Sequence, residues 1–101
     1  MVPGPDKSVL DEGQIADALM DLPGWELRGK QIAKTYTFKT FAQAIEFVNA
    51  VAELATKLDH HPDIHIAFSK VKIFCGTHKH NAVTTLDTQL AAGVEKAFEA
   101  V

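Results

Sequence analysis

The sequence predicts an α+β fold in the order αββαββα, with one four-stranded antiparallel sheet and helices packed on it. Three observations predict this order. Two pairs of short alternating segments are each joined by a tight turn, a long amphipathic stretch separates the pairs, and an apolar stripe with helical spacing lies near each end. Residues 8–101 are expected to form a single domain, and residues 1–7, with two prolines and a glycine, a flexible N-terminal tail.

The first helix and the first hairpin are predicted N-terminal to residue 39. Ser8 is expected to cap the helix, with Asp11 reaching back from the third helical position. The helix ends at the Pro-Gly pair of residues 23–24, and its apolar stripe consists of Ile15, Leu19 and Leu22. The alternating segments 25–28 and 32–38 then form a hairpin about a Gly-Lys turn.

A long second helix is predicted to begin at Thr40, which forms a capping-box pattern with Gln43, and to run to about Leu58. Its apolar residues spread beyond one face, which fits either a well-buried helix or a subunit interface. A His-His-Pro sequence at residues 60–62 ends it, because proline disfavours helical geometry at the preceding residue.

The second hairpin is predicted in segments 64–68 and 71–75, which alternate about a Ser-Lys turn. A loop over residues 77–82 leads to a last helix that begins at Thr84 or Thr85. The apolar stripe of that helix includes Leu86, Leu90 and Val94.

The composition excludes several classes of function. With 47% hydrophobic and 23% charged residues and a net charge of −3, the chain lacks the basic surface typical of nucleic-acid binding. Cys75 is the only cysteine, so neither an intrachain disulfide nor a cysteine-based zinc site can form. No apolar run is long enough to span a membrane, and no signal peptide is recognised, so we expect a cytoplasmic protein.

Histidine is the unusual feature of the composition, with five in 101 residues. His60 and His61 lie where the long helix gives way to the third strand, and His78 lies just past the fourth. Because the start of one strand neighbours the end of its antiparallel partner, these three imidazoles are expected to converge on one rim of the sheet. His65 and His80 are interpreted as surface residues.

Converging imidazoles suit proton transfer, since histidine both gives and takes protons near neutral pH. A dehydration needs both acts: one proton delivered to the departing hydroxyl, and another taken from the nitrogen that becomes an imine. Two alternatives stay open. A histidine such as His60 often only caps a helix end, and His78 with His80 would share a strand face suited to zinc, although no HExxH motif or matching carboxylate is present.

The same residues resemble the signature of the pterin-4a-carbinolamine dehydratase family. The residues that resemble the signature are the HHP at residues 60–62, the aromatic Phe68, the pair Thr77-His78, and Asp87 followed by Leu90-Ala91. The resemblance extends from about Leu10 to Phe98. Upstream, it includes Gly24, Trp25, Phe38, Phe41, Ala44, Phe47 and Val48.

The resemblance implies an αββαββα fold that assembles as a homodimer or homotetramer. It also implies conversion of 4a-hydroxytetrahydrobiopterin to quinonoid dihydrobiopterin and water, which recycles the pterin used by aromatic amino-acid hydroxylases. The pterin is then the substrate, and no further cofactor or metal is expected. A hydroxylase is a candidate partner.

The resemblance also implies roles for individual residues. His60 and His78 would be the acid/base residues, while His61 would hold the pterin and share the base role. Pro62 would contact the substrate, and Thr77 would hydrogen-bond the ligand or the backbone, with a plain strand-end threonine as the alternative. Asp59 would orient an imidazole or bind the amino edge of the pterin, with a plain helix-end carboxylate as the alternative.

Asp87, in the first turn of the last helix, is interpreted first as structural because the helix dipole favours a carboxylate there. Four positions differ from the family pattern and are expected near the rim of the pocket: Thr56, Ile64, Asn81 and Leu86.

A second function from a different class fits the same resemblance. Some dehydratase-like proteins act as assembly or regulatory factors, in Rubisco assembly or as transcriptional coactivators, and the broadly apolar second helix would suit protein binding. The three histidines favour the enzyme, because a scaffold has no use for converging imidazoles.

Overall fold

The computed structural model describes residues 8–101, so the tail predicted at residues 1–7 lies outside the described residues. Three helices and four strands follow one another in the predicted order αββαββα, which confirms the fold class. Their bounds are α1 Glu12–Leu19, β1 Glu26–Arg28, β2 Gln31–Thr37, α2 Phe41–Leu58, β3 Asp63–Ala67, β4 Lys70–Cys75 and α3 Thr85–Ala100.

The four strands form one antiparallel sheet in the order β1-β2-β4-β3. Both predicted hairpins are present, and β2 joins them by pairing with β4. The register places Ile73 of β4 opposite Ile64 of β3 on one side and Lys34 of β2 on the other. The sheet therefore has β4 as a central strand and β3 at an edge, which determines how the candidate site is built.

The core lies between one face of the sheet and the helices α2 and α3. The sheet contributes Ile32, Tyr36, Val71 and Ile73, and each is nearly or completely buried. The helices contribute Phe47 and Val51 from α2 and Leu90 and Val94 from α3. The burial of these apolar side chains is the main force that holds the helices against the sheet, at about 2 kcal/mol for each large side chain.

The start of the first helix differs from the prediction. Asp11, not Ser8, is the N-cap: its Oδ1 accepts a hydrogen bond from Gln14 N at 2.8 Å, and Gln14 Oε1 accepts one from Asp11 N at 2.9 Å. Ser8 precedes the helix because residues 8–10 pair with the segment before α3. Leu10 N donates to Val83 O at 2.9 Å, and Thr85 N donates to Ser8 O at 3.1 Å. These long-range contacts extend the chain where the local pattern predicted a helical turn.

The second helix begins and ends as predicted. Thr40 accepts from Gln43 N at 3.1 Å, and the helix ends at Asp59, whose φ of 51° is left-handed. Within this chain α2 buries one face only: Ala44, Phe47, Val51 and Ala55 are buried, whereas Ala42, Asn49 and Glu53 are exposed. No helix in residues 8–101 is long and apolar enough to cross a membrane.

Candidate active site

Two chain segments that are distant in sequence meet at one end of the hairpin β3–β4. Residues 59–62 lead into β3, whose first residue Asp63 pairs with Phe74 near the end of β4. Residues 76–84 leave β4, and an isolated antiparallel bridge between Thr77 and Ala82 closes that loop. The antiparallel geometry thus brings Asp63, the residue after the His-His-Pro sequence, beside the loop that carries His78. The convergence of the three imidazoles themselves stays a prediction.

His60 is held by a buried carboxylate. Its Nε2 lies 2.5 Å from Oδ1 of Asp87, and its side chain is 10% exposed, while that of Asp87 is fully buried. The backbone N–H of His60 donates to Ala55 O at 3.0 Å, which anchors the residue to the end of α2. With the Nε2–H donated to an ionised Asp87, the lone pair of a neutral imidazole lies on Nδ1 and is available to accept a proton.

The second carboxylate oxygen of Asp87 is also engaged. Its Oδ2 accepts from Thr84 N at 2.8 Å and from the Thr77 hydroxyl at 2.9 Å. The Thr84 hydroxyl lies 2.9 Å from that of Thr77 and 3.3 Å from Oδ2. Each hydroxyl has one proton, so the shorter contacts define a chain in which Thr84 donates to Thr77 and Thr77 donates to Asp87. This chain fixes the carboxylate, and the carboxylate fixes the His60 ring.

A cavity of about 240 Å³ opens beside this network, at the end of the sheet. Its walls are formed by the start of β2 with the turn before it, the first residue of β3 and the loop after β4, namely Lys30, Gln31, Asp63, Gly76, Thr77, His78, Asn81 and Ala82. His60 and His61 are not among these residues. His78 is 79% exposed, and its Nε2 lies 3.9 Å from Oδ2 of Asp63. Gln31 Nε2 donates to that same oxygen at 3.2 Å. Thr77 lines the cavity and also binds Asp87, so it links the cavity to the His60 pair.

The structure places the other predicted residues as follows. His61 is exposed and makes no side-chain hydrogen bond or ion pair within residues 8–101, and Pro62 beside it is half-buried. Asp59 is exposed at the end of α2 and is not part of the cavity wall described above. His65 and His80 are exposed, as expected of surface residues. No group of three or more His, Cys, Asp or Glu side chains in the described range 8–101 is placed to hold a metal ion.

The four positions that differ from the family pattern do not share one environment. Asn81 lines the cavity with a φ of 49°, and Ile64 is half-buried at the start of β3. Thr56 is exposed on α2, where its hydroxyl donates to Ala52 O at 2.9 Å. The expectation that Leu86 lies at the rim is wrong, because Leu86 is fully buried in the core. An apolar side chain at this position of α3 faces inward, where a charged one would lose its hydration.

Two features of the site were not predicted. Asp87 was interpreted as a helix-terminus carboxylate; it does accept from the N–H of the N-cap Thr84, and it also binds His60. Asp63 was not singled out, although it follows the His-His-Pro sequence directly and belongs to the cavity wall. Its position one residue after the proline, opposite the end of β4, is the signal that would have indicated it.

Comparison with known proteins assigns the chain to a family. The family model described as pterin 4 alpha carbinolamine dehydratase matches residues 8–97. The chain belongs to that family. A protein from Thermomicrobium roseum, provisionally named a pterin-4-alpha-carbinolamine dehydratase, is 45% identical over 82 residues, which are 81% of this chain and 88% of the relative. A similarly named protein from Sulfolobus acidocaldarius is 34% identical over 86% of this chain and 96% of its own length.

Solved structures of pterin dehydratases and dehydratase-like proteins have the same fold. A transcriptional coactivator/pterin dehydratase from Brucella melitensis superposes with a TM-score of 0.86 at 34% identity, over 89% of this chain and 98% of the other. A pterin dehydratase-like protein identified as a RuBisCO assembly factor in the α-carboxysome superposes with a TM-score of 0.60 at 22% identity, over 72% and 84% of the two chains. The second likeness is one of fold alone.

Proposed function

We propose that this protein dehydrates 4a-hydroxytetrahydropterins, with 4a-hydroxytetrahydrobiopterin as the expected substrate. The observation that carries the proposal is the His60–Asp87 pair, in which a buried carboxylate orients an imidazole. Thr77 joins that carboxylate to a polar cavity whose wall includes His78. A histidine that only caps a helix end has no need of a fully buried carboxylate with three further hydrogen-bonding contacts. This arrangement is typical of a histidine that transfers protons.

The reaction requires two proton transfers and no net change in oxidation state. The bond between C4a and the hydroxyl oxygen breaks, and the oxygen leaves as water after taking a proton. The N5–H bond also breaks, and its electron pair forms the C4a=N5 double bond of the quinonoid dihydropterin. One protonated and one neutral imidazole can perform both steps and exchange their states in the process.

The two histidines differ in ways that suit such a pair. His60 is nearly buried, and Asp87 stabilises the imidazolium that forms when His60 accepts a proton. His78 is largely exposed, with Asp63 as its nearest carboxylate, so it is accessible to water and to a ligand in the cavity. His61 is adjacent to His60 and exposed, and we propose that it contacts the bound pterin and shares the base role, with Pro62 and Thr77 as further contacts.

The family membership also supports a proposal about the biological role and the assembly of the protein. We propose that the protein recycles the pterin of an aromatic amino-acid hydroxylase in the cytoplasm, and that it acts as a homodimer or homotetramer without a further cofactor. In each case the support is the family membership.

The deciding experiment measures the dehydration of synthetic 4a-hydroxytetrahydropterin by ultraviolet absorbance, for the wild type and for His60→Ala, His61→Ala and His78→Ala. We expect the wild type to exceed the spontaneous rate clearly. The substitutions at His60 and His78 should each reduce the enzymatic rate by about a hundredfold or more, and the one at His61 by less. His65→Ala is the matched control, because His65 is exposed on β3.

Two outcomes would count against the proposal. If folded wild-type protein is no faster than buffer, the enzyme proposal fails and the protein-binding alternative becomes the better explanation. If His65→Ala loses as much activity as His60→Ala, the assignment of the acid/base residues fails even though the activity stands.

A further inference from the structure

Asp63 differs from the other carboxylates near the site because it belongs to the cavity wall and has a free oxygen. Its two side-chain contacts, with Gln31 Nε2 at 3.2 Å and His78 Nε2 at 3.9 Å, both involve Oδ2. Within the part of the chain that the structure describes, Oδ1 makes no hydrogen bond or ion pair. The side chain is 51% exposed, so a ligand in the cavity can reach it.

The other two carboxylates near the site are either hydrogen-bonded already or outside the cavity wall. Asp87 is fully buried, and its two oxygens contact His60, Thr77 and Thr84. Asp59 ends α2 and is not among the residues of the cavity wall. Asp63 is therefore the one carboxylate among the lining residues, and Gln31 beside it supplies an amide.

The pyrimidine edge of a pterin has a matching pattern of hydrogen-bonding groups. The 2-amino group and N3–H present two adjacent donors, and the 4-oxo oxygen is an acceptor next to them. A carboxylate accepts from two adjacent N–H donors at once, and such charge-assisted pairs are stronger than neutral ones. Cavities for small ligands are commonly about 300 to 1,000 Å³, so the 240 Å³ here suits a compact bicyclic ring.

We propose that Asp63, oriented by its hydrogen bond from Gln31, accepts hydrogen bonds from the 2-amino edge of the pterin. This contact determines the specificity of the site for 2-amino-4-oxopteridines. The proposal rests on the proposed function, because it concerns the ligand of the same cavity. It assigns to Asp63 the recognition that the sequence suggested for Asp59. It also separates two tasks: Asp63 and Gln31 in the cavity wall bind the pyrimidine ring, and the histidines act on the reduced ring.

The test compares two stable ligands by fluorescence titration, 6-methylpterin and 6-methyllumazine, at a pH at which both rings are neutral. Lumazine has a 2-oxo group in place of the 2-amino group, so it places an acceptor where Asp63 needs a donor. We expect the wild type to prefer the pterin by about tenfold or more. Asp63→Asn should remove or reverse this preference, because its amide can donate to the 2-oxo oxygen and still accept from N3–H.

Two matched variants accompany it. Asp17→Asn makes the same chemical change at an exposed position of α1 and should keep the wild-type preference. Asp59→Asn tests the competing carboxylate. The proposal is overturned if Asp63→Asn has the wild-type preference, or if Asp59→Asn changes the preference instead. If the wild type binds neither ligand, the proposed function falls together with this assignment, whereas pterin binding with an unchanged ratio refutes the assignment alone.

Discussion

The imidazole of His60 and the carboxylate of Asp87 are 2.5 Å apart, although 27 residues separate them in sequence. The contact joins the end of α2 to the first turn of α3, and Thr77 and Thr84 support it from the other side of the carboxylate. A proton-transferring histidine needs a defined tautomer and a fixed ring orientation, and this network supplies both. Three of the predictions below concern this network or the loop between β4 and α3.

Asp87→Asn is expected to reduce the dehydration rate by about a hundredfold or more. The amide keeps the size of the side chain but can present its NH2 group to Nε2 of His60, which moves the ring proton to Nδ1 and removes the basic lone pair from that atom. The measurement is kcat with 4a-hydroxytetrahydropterin, together with a thermal melt. A folded variant with wild-type kcat would show that the contact is structural only.

Thr77→Val is expected to cost about 1 to 2 kcal/mol of stability, because it leaves the buried Thr84 hydroxyl without its acceptor at Thr77. It should also reduce activity, since Asp87 loses one of the donors that fix it. Thr77→Ser keeps the hydroxyl and should restore most of both properties. Urea denaturation and kcat measured on the two variants check the prediction, and equal defects in both would argue against a role for the hydroxyl.

Tyr36→Phe is expected to leave stability unchanged or to raise it by about 1 kcal/mol. Among residues 8–101, the Tyr36 hydroxyl is the one buried side-chain nitrogen or oxygen without a hydrogen-bond partner. The Trp25 Nε1–H, in the same part of the core, donates to Glu95 instead, at 3.0 Å. Burial, joined by the negative charge of Glu95, raises the pKa of Tyr36 above its usual range. Urea denaturation at neutral pH is the measurement, and a loss above about 1 kcal/mol would reveal a partner for the hydroxyl.

Cys75 is expected to make the fold less stable in alkali. Burial, joined by the charges of Asp87 and Asp63, raises the pKa of its thiol well above the ordinary value. The folded state therefore keeps the proton after the unfolded state has lost it. Stability is complete below the unfolded pKa of about 8.5 and falls as the pH rises through it, by about 1 kcal/mol between pH 8 and 9.5.

Denaturation at several pH values, with Cys75→Ala for comparison, isolates this effect. The alanine variant should lack the part of the pH dependence that the thiol causes. Equal slopes for the two proteins between pH 8 and 9.5 would contradict the prediction. The same burial predicts that iodoacetamide alkylates the thiol only after unfolding.

Asn81 is expected to tolerate glycine better than alanine. Its φ of 49° lies in the left-handed region, which glycine and asparagine adopt far more readily than residues with a plain Cβ. Asn81→Ala should cost about 1 kcal/mol, and Asn81→Gly should be close to neutral. Thermal melts of the two variants check this. An alanine variant as stable as the glycine variant would show that the loop relaxes to another conformation.

The element order could be predicted from the sequence because each element carries its own local signal. The alternation of residues 71–75 and the helical spacing from Phe41 to Leu58 depend only on neighbouring residues, and the structure confirms both. The prediction of Ser8 as the N-cap of α1 was wrong, because residues 8–10 pair with the segment before α3, which is a long-range contact. A capping pattern read from four residues contains no information about it.

The candidate site was predictable in part for the same reason. Hairpin geometry alone indicated that the His-His-Pro segment and His78 lie near one another, and the roles proposed for these histidines stay predictions. The contact of His60 with Asp87 depends on how α3 packs beside α2, which no spacing in the sequence specifies. The burial of Leu86 depends on the same packing, so its assignment to the rim was wrong.

The strand order has a consequence for how a ligand reaches the cavity. Gly76, Thr77 and His78 follow β4, which is hydrogen-bonded on both sides, whereas Asp63 begins β3, which is bonded to β4 alone. Edge strands open locally at a lower free-energy cost than central ones, and their amides exchange with solvent sooner. The side of the cavity at Asp63 is thus expected to open locally more often than the side formed by the loop after β4.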